Sequence, residues 1–353
     1  MKILLARFVL IAISSLGALV LLAPMIILAL PFWLVSFLTG FMARLLQSTA
    51  VPWREIIVFD ATVGWKPMAN INARYLARGG DICSVSTDSQ GWPGKTSLSE
   101  SELVVFGDSF AFGYGVDMHL SYAEINPRVR IKAIGAPGYN MVQELLLMQA
   151  FSAQLRDKLV VWFICLENDL YDNLHPVKPN FYKTPFVRSL DGGETWEIVT
   201  THVTADRWPV SLVTSPYLSM LAKYCVPGFA SERAFAACDF LIQEGHKICR
   251  QAEAQLAVFT IPNKNQLSQR GLNLLMRQLQ NREGFDADRP DRELQTICRK
   301  LGIMFLAGKD HLSIIDYKDN DTHWNEQGNR RVAALVDRLY NEYLQHKVER
   351  ISR

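Results

Sequence analysis

No block of like charge interrupts this sequence, and its formal net charge is only +2. A groove for nucleic acid needs a concentrated basic face, so that class of partner is excluded. The six cysteines, Cys83, Cys165, Cys225, Cys238, Cys249 and Cys298, include no Cys-x-x-Cys pair. No histidine stands at ligand spacing from any of them, which removes the usual zinc patterns. Cys165 lies in an apolar run and reads as core; Cys225 and Cys238 are free to bridge only if the body of the protein is exported. Internal repeats and low-complexity tracts are also missing, so solenoids and disordered arrays drop out.

Charge is wholly absent from Phe8 to Met42, a run that contains Pro24 and Pro31. As one helix it would be about 50 Å long, whereas a bilayer core is roughly 30 Å thick. Either Phe8 to Leu30 spans and the segment to Leu46 lies at the interface, or the chain turns near Pro24 into a two-helix hairpin. Lys2 and Arg7 precede the run and Arg44 and Arg54 follow it, which pulls both ends toward the cytoplasm; a single span with the body outside is the alternative. The run is too long for a cleaved signal peptide. Residues 1–48 are therefore expected to be a membrane anchor and 49–100 an extended connector, since Gly64-Trp65-Lys66-Pro67 and Gly91-Trp92-Pro93-Gly94 read as extended or turn segments.

From Leu103 strands and helices alternate. Leu103 to Gly107, Ile131 to Ile134, Leu159 to Cys165, Leu256 to Ile261 and Ile303 to Leu306 read as strands. The third is apolar throughout, as a strand covered on both faces must be. Helices are expected from Met141 behind an Asn140 cap, over Glu232–Ala254, Gly271–Gln280 and Glu293–Lys300, and from Trp324-Asn325 to about Gln345. Between about 174 and 227 the rhythm breaks for a hairpin at 186–199 and a helix at 217–224, an insertion directly after a strand end. Five strands separated by helices over 101–347 give a doubly wound α/β domain.

Strand ends are where such sheets bind ligands. The first strand runs into Gly107-Asp108-Ser109, a tight turn carrying a hydroxyl. Gly138 follows the second strand with an unshielded backbone N–H, and the Asn168 carboxamide follows the third. Among seven histidines only His323 lies in a polar loop after the last strand, with Asp321 near enough to hold its tautomer. Each residue alone has a bland reading: a strand-end turn, a turn glycine, an Asx turn, a polar helix start. Four successive strand ends each delivering a suitable group favour acyl-transfer chemistry at Ser109.

On Gly107-Asp108-Ser109, Gly138, Asn168 and the Asp321/His323 loop, residues 100–345 resemble the SGNH (GDSL-type) hydrolases. The resemblance implies a flavodoxin-like three-layer α/β/α sandwich, Ser109 as nucleophile, His323 as general base and Asp321 as acid. It implies an oxyanion hole of the Ser109 and Gly138 amides with the Asn168 side chain, and no metal or cofactor. Two departures stand out. Leu166-Glu167 precede Asn168-Asp169 where the family has Gly-x-Asn-Asp, and Asp321 gives Asp-x-His in place of Asp-x-x-His, position 320 being Asn320 and Asp319 the fallback. Gly64-Trp65-Lys66-Pro67 and Gly113-Tyr114-Gly115-Val116 are similar to membrane-anchored members of bacterial surface-glycan pathways. That implies an integral protein of the bacterial inner membrane, its catalytic side open, acting on an O-acyl, chiefly acetyl, ester of a glycan or lipid-linked sugar. Acyl transfer, a non-catalytic glycan-binding scaffold and a long-chain lipase are the rivals.

Overall fold

Seven consecutive apolar residues in Leu159–Cys165 can be buried only in the middle of a sheet, and that is where they lie. In the computed structural model, which describes residues 50–176, 182–192, 195–201, 203–204 and 216–351, the strands run in chain order as follows. They are β1 (Val51–Pro52), β2 (Ile57–Asp60), β3 (Gly64–Pro67), β4 (Asn72–Leu76), β5 (Ile82–Ser86), β6 (Leu103–Gly107), β7 (Ile131–Gly135), β8 (Leu159–Cys165), β9 (Phe186–Ser189), β10 (Trp196–Val199), β11 (Gln255–Ile261) and β12 (Met304–Ala307). The main sheet has the order β12-β11-β8-β6-β7 and every pairing in it is parallel. Counting only these five, the order is 2-1-3-4-5, the flavodoxin-like arrangement whose direction reverses between the first and third strands.

Alternation along the strands sorts the core into two faces. Val104, Phe106, Val160, Trp162, Ile164 and Val258 point to one side, where the helices Met141–Phe151, Phe229–Gln251 and Arg289–Leu301 cover them. Leu103, Val105, Val161, Phe163 and Phe259 point to the other, beneath Val332, Val336 and Leu339 of the C-terminal helix Glu326–Ile351. Three layers result. The Asn140 cap is a full capping box with Gln143. The helix expected from Glu232 starts at Phe229, directly after Gly228.

Residues 51–100 are more structured than a connector. The hairpin of β2 and β3 buries Trp65 completely, and the sheet β1-β4-β5 packs Tyr75, Cys83 and Val85 against Phe112, Tyr114 and Met118. From Val51 onward the chain forms one compact unit. The segment 87–94 also meets the outer strand β7 through one buried side chain. Lys132, 1% exposed, pairs there with Asp88 at 2.8 Å and donates to the Pro93 carbonyl at 3.3 Å.

The anchor expected over 1–48 lies outside the described residues, as does part of the insertion, 177–181 and 205–215. Among the described residues no helix is long and apolar enough to cross a membrane. Cys225 and Cys238, candidates for a bridge, are both free and buried, and Cys238 packs instead against Met141 and Asn173.

One buried acid gives a stability prediction. Asp291 is 6% exposed, and burial pushes its carboxyl up to about 6 despite the hydrogen bond it accepts from Thr260; the nearby Asp310 charge adds to the rise. Between about pH 4 and 6 the folded protein therefore keeps a proton that the unfolded chain has released, so stability falls as pH rises through that window. Asp291→Asn keeps the acceptor for Thr260 and removes the charge. It is expected to raise thermal stability at pH 7.5 by up to ~2 kcal/mol and to give no gain at pH 4, read by melting curves at the two pH values.

Candidate active site

The order of the sheet brings the ends of β6 and β8 side by side at the point where its direction reverses. After Gly107 the chain turns at once into the short helix Ser109–Phe112. Asp108 caps it by accepting from the Phe110 N–H at 2.9 Å, and Gly113 closes it in the left-handed region at φ 77°. A Cβ on Gly135 would sit 2.2 Å from the Gly107 carbonyl oxygen, so only glycine lets β7 end against the nucleophile turn. Ser109 opens the helix, where its N–H has no intrahelical acceptor. It is 7% exposed.

His323, 214 residues further along, places Nε2 2.8 Å from the Ser109 Oγ. Its Nδ1 lies 3.0 Å from Oδ2 of Asp321, a contact bent away from an aligned hydrogen bond. Such bonds commonly tighten only when substrate binds. With Asp321 on the Nδ1 side, Nε2 is assigned as the acceptor facing the serine hydroxyl. The rings of Phe110 and Tyr114 pack beside the imidazole, tilted, with centroids 5.0 and 4.7 Å away. Burial works to raise the Asp321 carboxyl, but the His323 contact, the Thr322 N–H and the charge of Arg78 outweigh it and hold it below the usual carboxylate range. Asp319 is exposed and makes no contact with the imidazole among the described hydrogen bonds and ion pairs.

Asn168 follows β8 and is 9% exposed. Its Nδ2 donates to Oδ2 of Asp108 at 3.3 Å and to the Tyr139 carbonyl at 3.4 Å, which fixes the amide beside the residue preceding the nucleophile. Gly138, with φ 84°, sits between Pro137 and Tyr139 on the loop after β7. That loop is braced by the β2–β3 hairpin: Trp65 Nε1 donates to the Pro137 carbonyl at 3.2 Å, and the Tyr139 hydroxyl donates to the Trp65 carbonyl at 2.6 Å. Ser109, His323 and Asp321 are thus in direct contact, Asn168 is tied to the nucleophile turn, and Gly138 adjoins the residue that accepts from Asn168.

No family model matches this sequence, and no curated protein matches it. Solved structures similar to it include a GDSL-like lipase from Bacteroides thetaiotaomicron, with 13% identity, 71% of this chain and 93% of that one covered, and a TM-score of 0.36. A proposed arylesterase from Agrobacterium tumefaciens has 12% identity, covers 68% and 98%, and scores 0.39. A proposed acylhydrolase from Bacteroides fragilis has 11% identity, covers 71% and 91%, and scores 0.37. Likeness at this level decides nothing about chemistry, for which the distances above are the ground.

Several contributors to the site carried no signal in the sequence. Phe110 and Tyr114 flank the imidazole, yet in the chain they are two aromatics in an apolar stretch. Asp108 reads as part of the Gly-Asp-Ser turn but also anchors Asn168. Glu167 brings a second carboxyl to the same pocket; burial pushes it above the usual range, opposed by His323, Asn263 and Thr322. Its position directly before Asn168 at a strand end was the available clue.

Proposed function

We propose that this protein is a serine hydrolase of O-acyl esters, with Ser109 as nucleophile, His323 as general base and Asp321 as the residue that orients and charge-balances the imidazole. The observation that carries this reading is the chain of contacts Ser109 Oγ to His323 Nε2 at 2.8 Å and His323 Nδ1 to Asp321 Oδ2 at 3.0 Å. A serine hydroxyl is a weak nucleophile until a base takes its proton in the transition state. Here Oγ attacks the ester carbonyl as its proton passes to Nε2. The Asn168 amide and the Ser109 and Gly138 N–H groups receive the oxyanion. Collapse of the tetrahedral adduct breaks the bond to the leaving alcohol, which takes the proton from Nε2 and leaves an acyl-Ser109. Water, deprotonated by the same imidazole, then releases the acid.

The substrate we propose is a short acyl ester, chiefly acetyl, on a glycan or lipid-linked sugar at a bacterial cell membrane. The small exposure of Ser109 supports a short acyl group. The uncharged run from Phe8 to Met42 supports a membrane setting. If a sugar hydroxyl replaces water in the second half, the same site performs acyl transfer.

Incubation of the full chain with a fluorophosphonate probe is expected to modify Ser109, seen as a mass shift on its peptide. p-Nitrophenyl acetate should be hydrolysed faster than the palmitate. A wild-type rate equal to the blank across acyl lengths, with Ser109 unmodified, would overturn the reading, and faster turnover of the palmitate would shift it to a lipase.

A further inference from the structure

The loop that carries Asp321 and His323 is held by a residue with no part in the proton relay. Residues 316–325 form a hairpin-like excursion closed at its base, where Tyr317 pairs with Trp324 and the Lys318 N–H donates to the His323 carbonyl at 2.9 Å. Trp324 fixes the near end by packing on Phe110 at 4.6 Å. The far end, 318–321, makes no aromatic ring contact among the described residues. It borders a cavity of about 470 Å³ lined also by Gly79, Asp117 and Glu326, so one of its sides is open.

Lys264 holds the other side. It lies just beyond the end of β11, in a one-turn helix capped by Asn263. Its Nζ donates to three backbone carbonyls: Lys318 at 3.2 Å, Asp319 at 3.0 Å and Asp321 at 2.7 Å. An ammonium has three hydrogens, and this loop uses all of them. The shortest bond falls on the residue whose carboxylate faces the imidazole. Charge-assisted bonds of this kind are about twice as strong as neutral ones. The other side-chain tie on this stretch, Lys318 to Asp81, has an exposed carboxylate as its partner, and such surface pairs hold weakly.

We infer that Lys264 is the positioning residue of this site: it fixes the 318–321 backbone so that the Asp321 carboxylate meets Nδ1 of His323. The inference rests on the serine-hydrolase reading for its kinetic consequence and on the loop contacts alone for its structural one. It gives β11, whose end supplies no reacting group, a part in the site. Displacement of a catalytic group by about 1 Å can cost 10²-fold in rate.

The test uses the full chain. Lys264→Met is expected to lower kcat for p-nitrophenyl acetate about 10- to 100-fold with KM changed less than about 3-fold, and Lys264→Arg to recover part of the loss. On an Asp321→Asn background the same Lys264→Met change should cost less than about 2-fold, because a residue acting through Asp321 has nothing left to position. Equal losses in both backgrounds, or full kcat in Lys264→Met, would overturn the inference. Should Lys264→Met fail to fold, Lys264→Gln and Lys264→Arg are read in the same two backgrounds. A readout without turnover separates the two levels: the Nδ1 proton resonance of His323, assigned by its loss in His323→Gln, should move or broaden in the Lys264 variant. If the wild type is inactive and the resonance still moves, the hydrolase reading fails and the positioning stands. An unmoved resonance ends the positioning role whatever the rates.

Discussion

Ser109→Ala and His323→Ala are each expected to lower kcat for an acyl ester by about 10⁵- to 10⁶-fold, and the double variant no further than either. On the proposed mechanism the two residues share one proton-coupled step, so removing either removes it. The Ser109 Oγ is 2.8 Å from His323 Nε2, and the imidazole has aromatic rings beside it at 5.0 and 4.7 Å. Initial rates at saturating ester, at protein concentrations set by absorbance and with each variant's fold checked by its melting curve, check this. Multiplicative losses in the double variant would mean that the two side chains act in separate steps and would break the relay.

Loss of the Asn168 amide is the next largest effect. Asn168→Ala is expected to cost about 10²- to 10³-fold in kcat with KM little changed, because an oxyanion donor works only once the carbonyl has become tetrahedral. The present partners of Nδ2, at 3.3 and 3.4 Å, lie beyond ordinary hydrogen-bond lengths, so a full negative charge within reach would be preferred. Asn168→Asp makes the sharper comparison. It keeps the volume, replaces a donor by a like charge beside the buried Asp108, and should be slower than the alanine variant. Comparable rates for all three would remove Asn168 from the oxyanion hole.

How much of this was legible in the chain depended on how local each signal was. The apolar run Leu159–Cys165 announces a central strand by itself, and Asn140 with Gln143 announces a helix start, because strand burial and capping are fixed by neighbouring residues. The hairpin at 186–199 was legible through the turn between its strands, and its antiparallel pairing follows. Residues 51–100 were harder. Their strands are two to five residues long, too short to show a period, and what orders them is the burial of Trp65 and Tyr75 against parts of the chain far away. At the site, Ser109, Asn168, Asp321 and His323 could be named from their positions after strands. The brace of Trp65 on the Gly138 loop and the grip of Lys264 on the 318–321 loop could not. Both are side-chain to backbone bonds between distant segments, and the carbonyl that receives such a bond leaves no mark in the amino-acid code.

The ion pair of the outer strand ties residues 87–94 to the sheet. With Asp88 and Pro93 seated on Lys132, the ammonium of that strand has both a counter-charge and an acceptor from the protein's own chain. Loss of the Asp88 carboxylate would leave a buried ammonium without its counter-charge, so residues 87–94 and β7 are bound to stay together by a cost built into the fold.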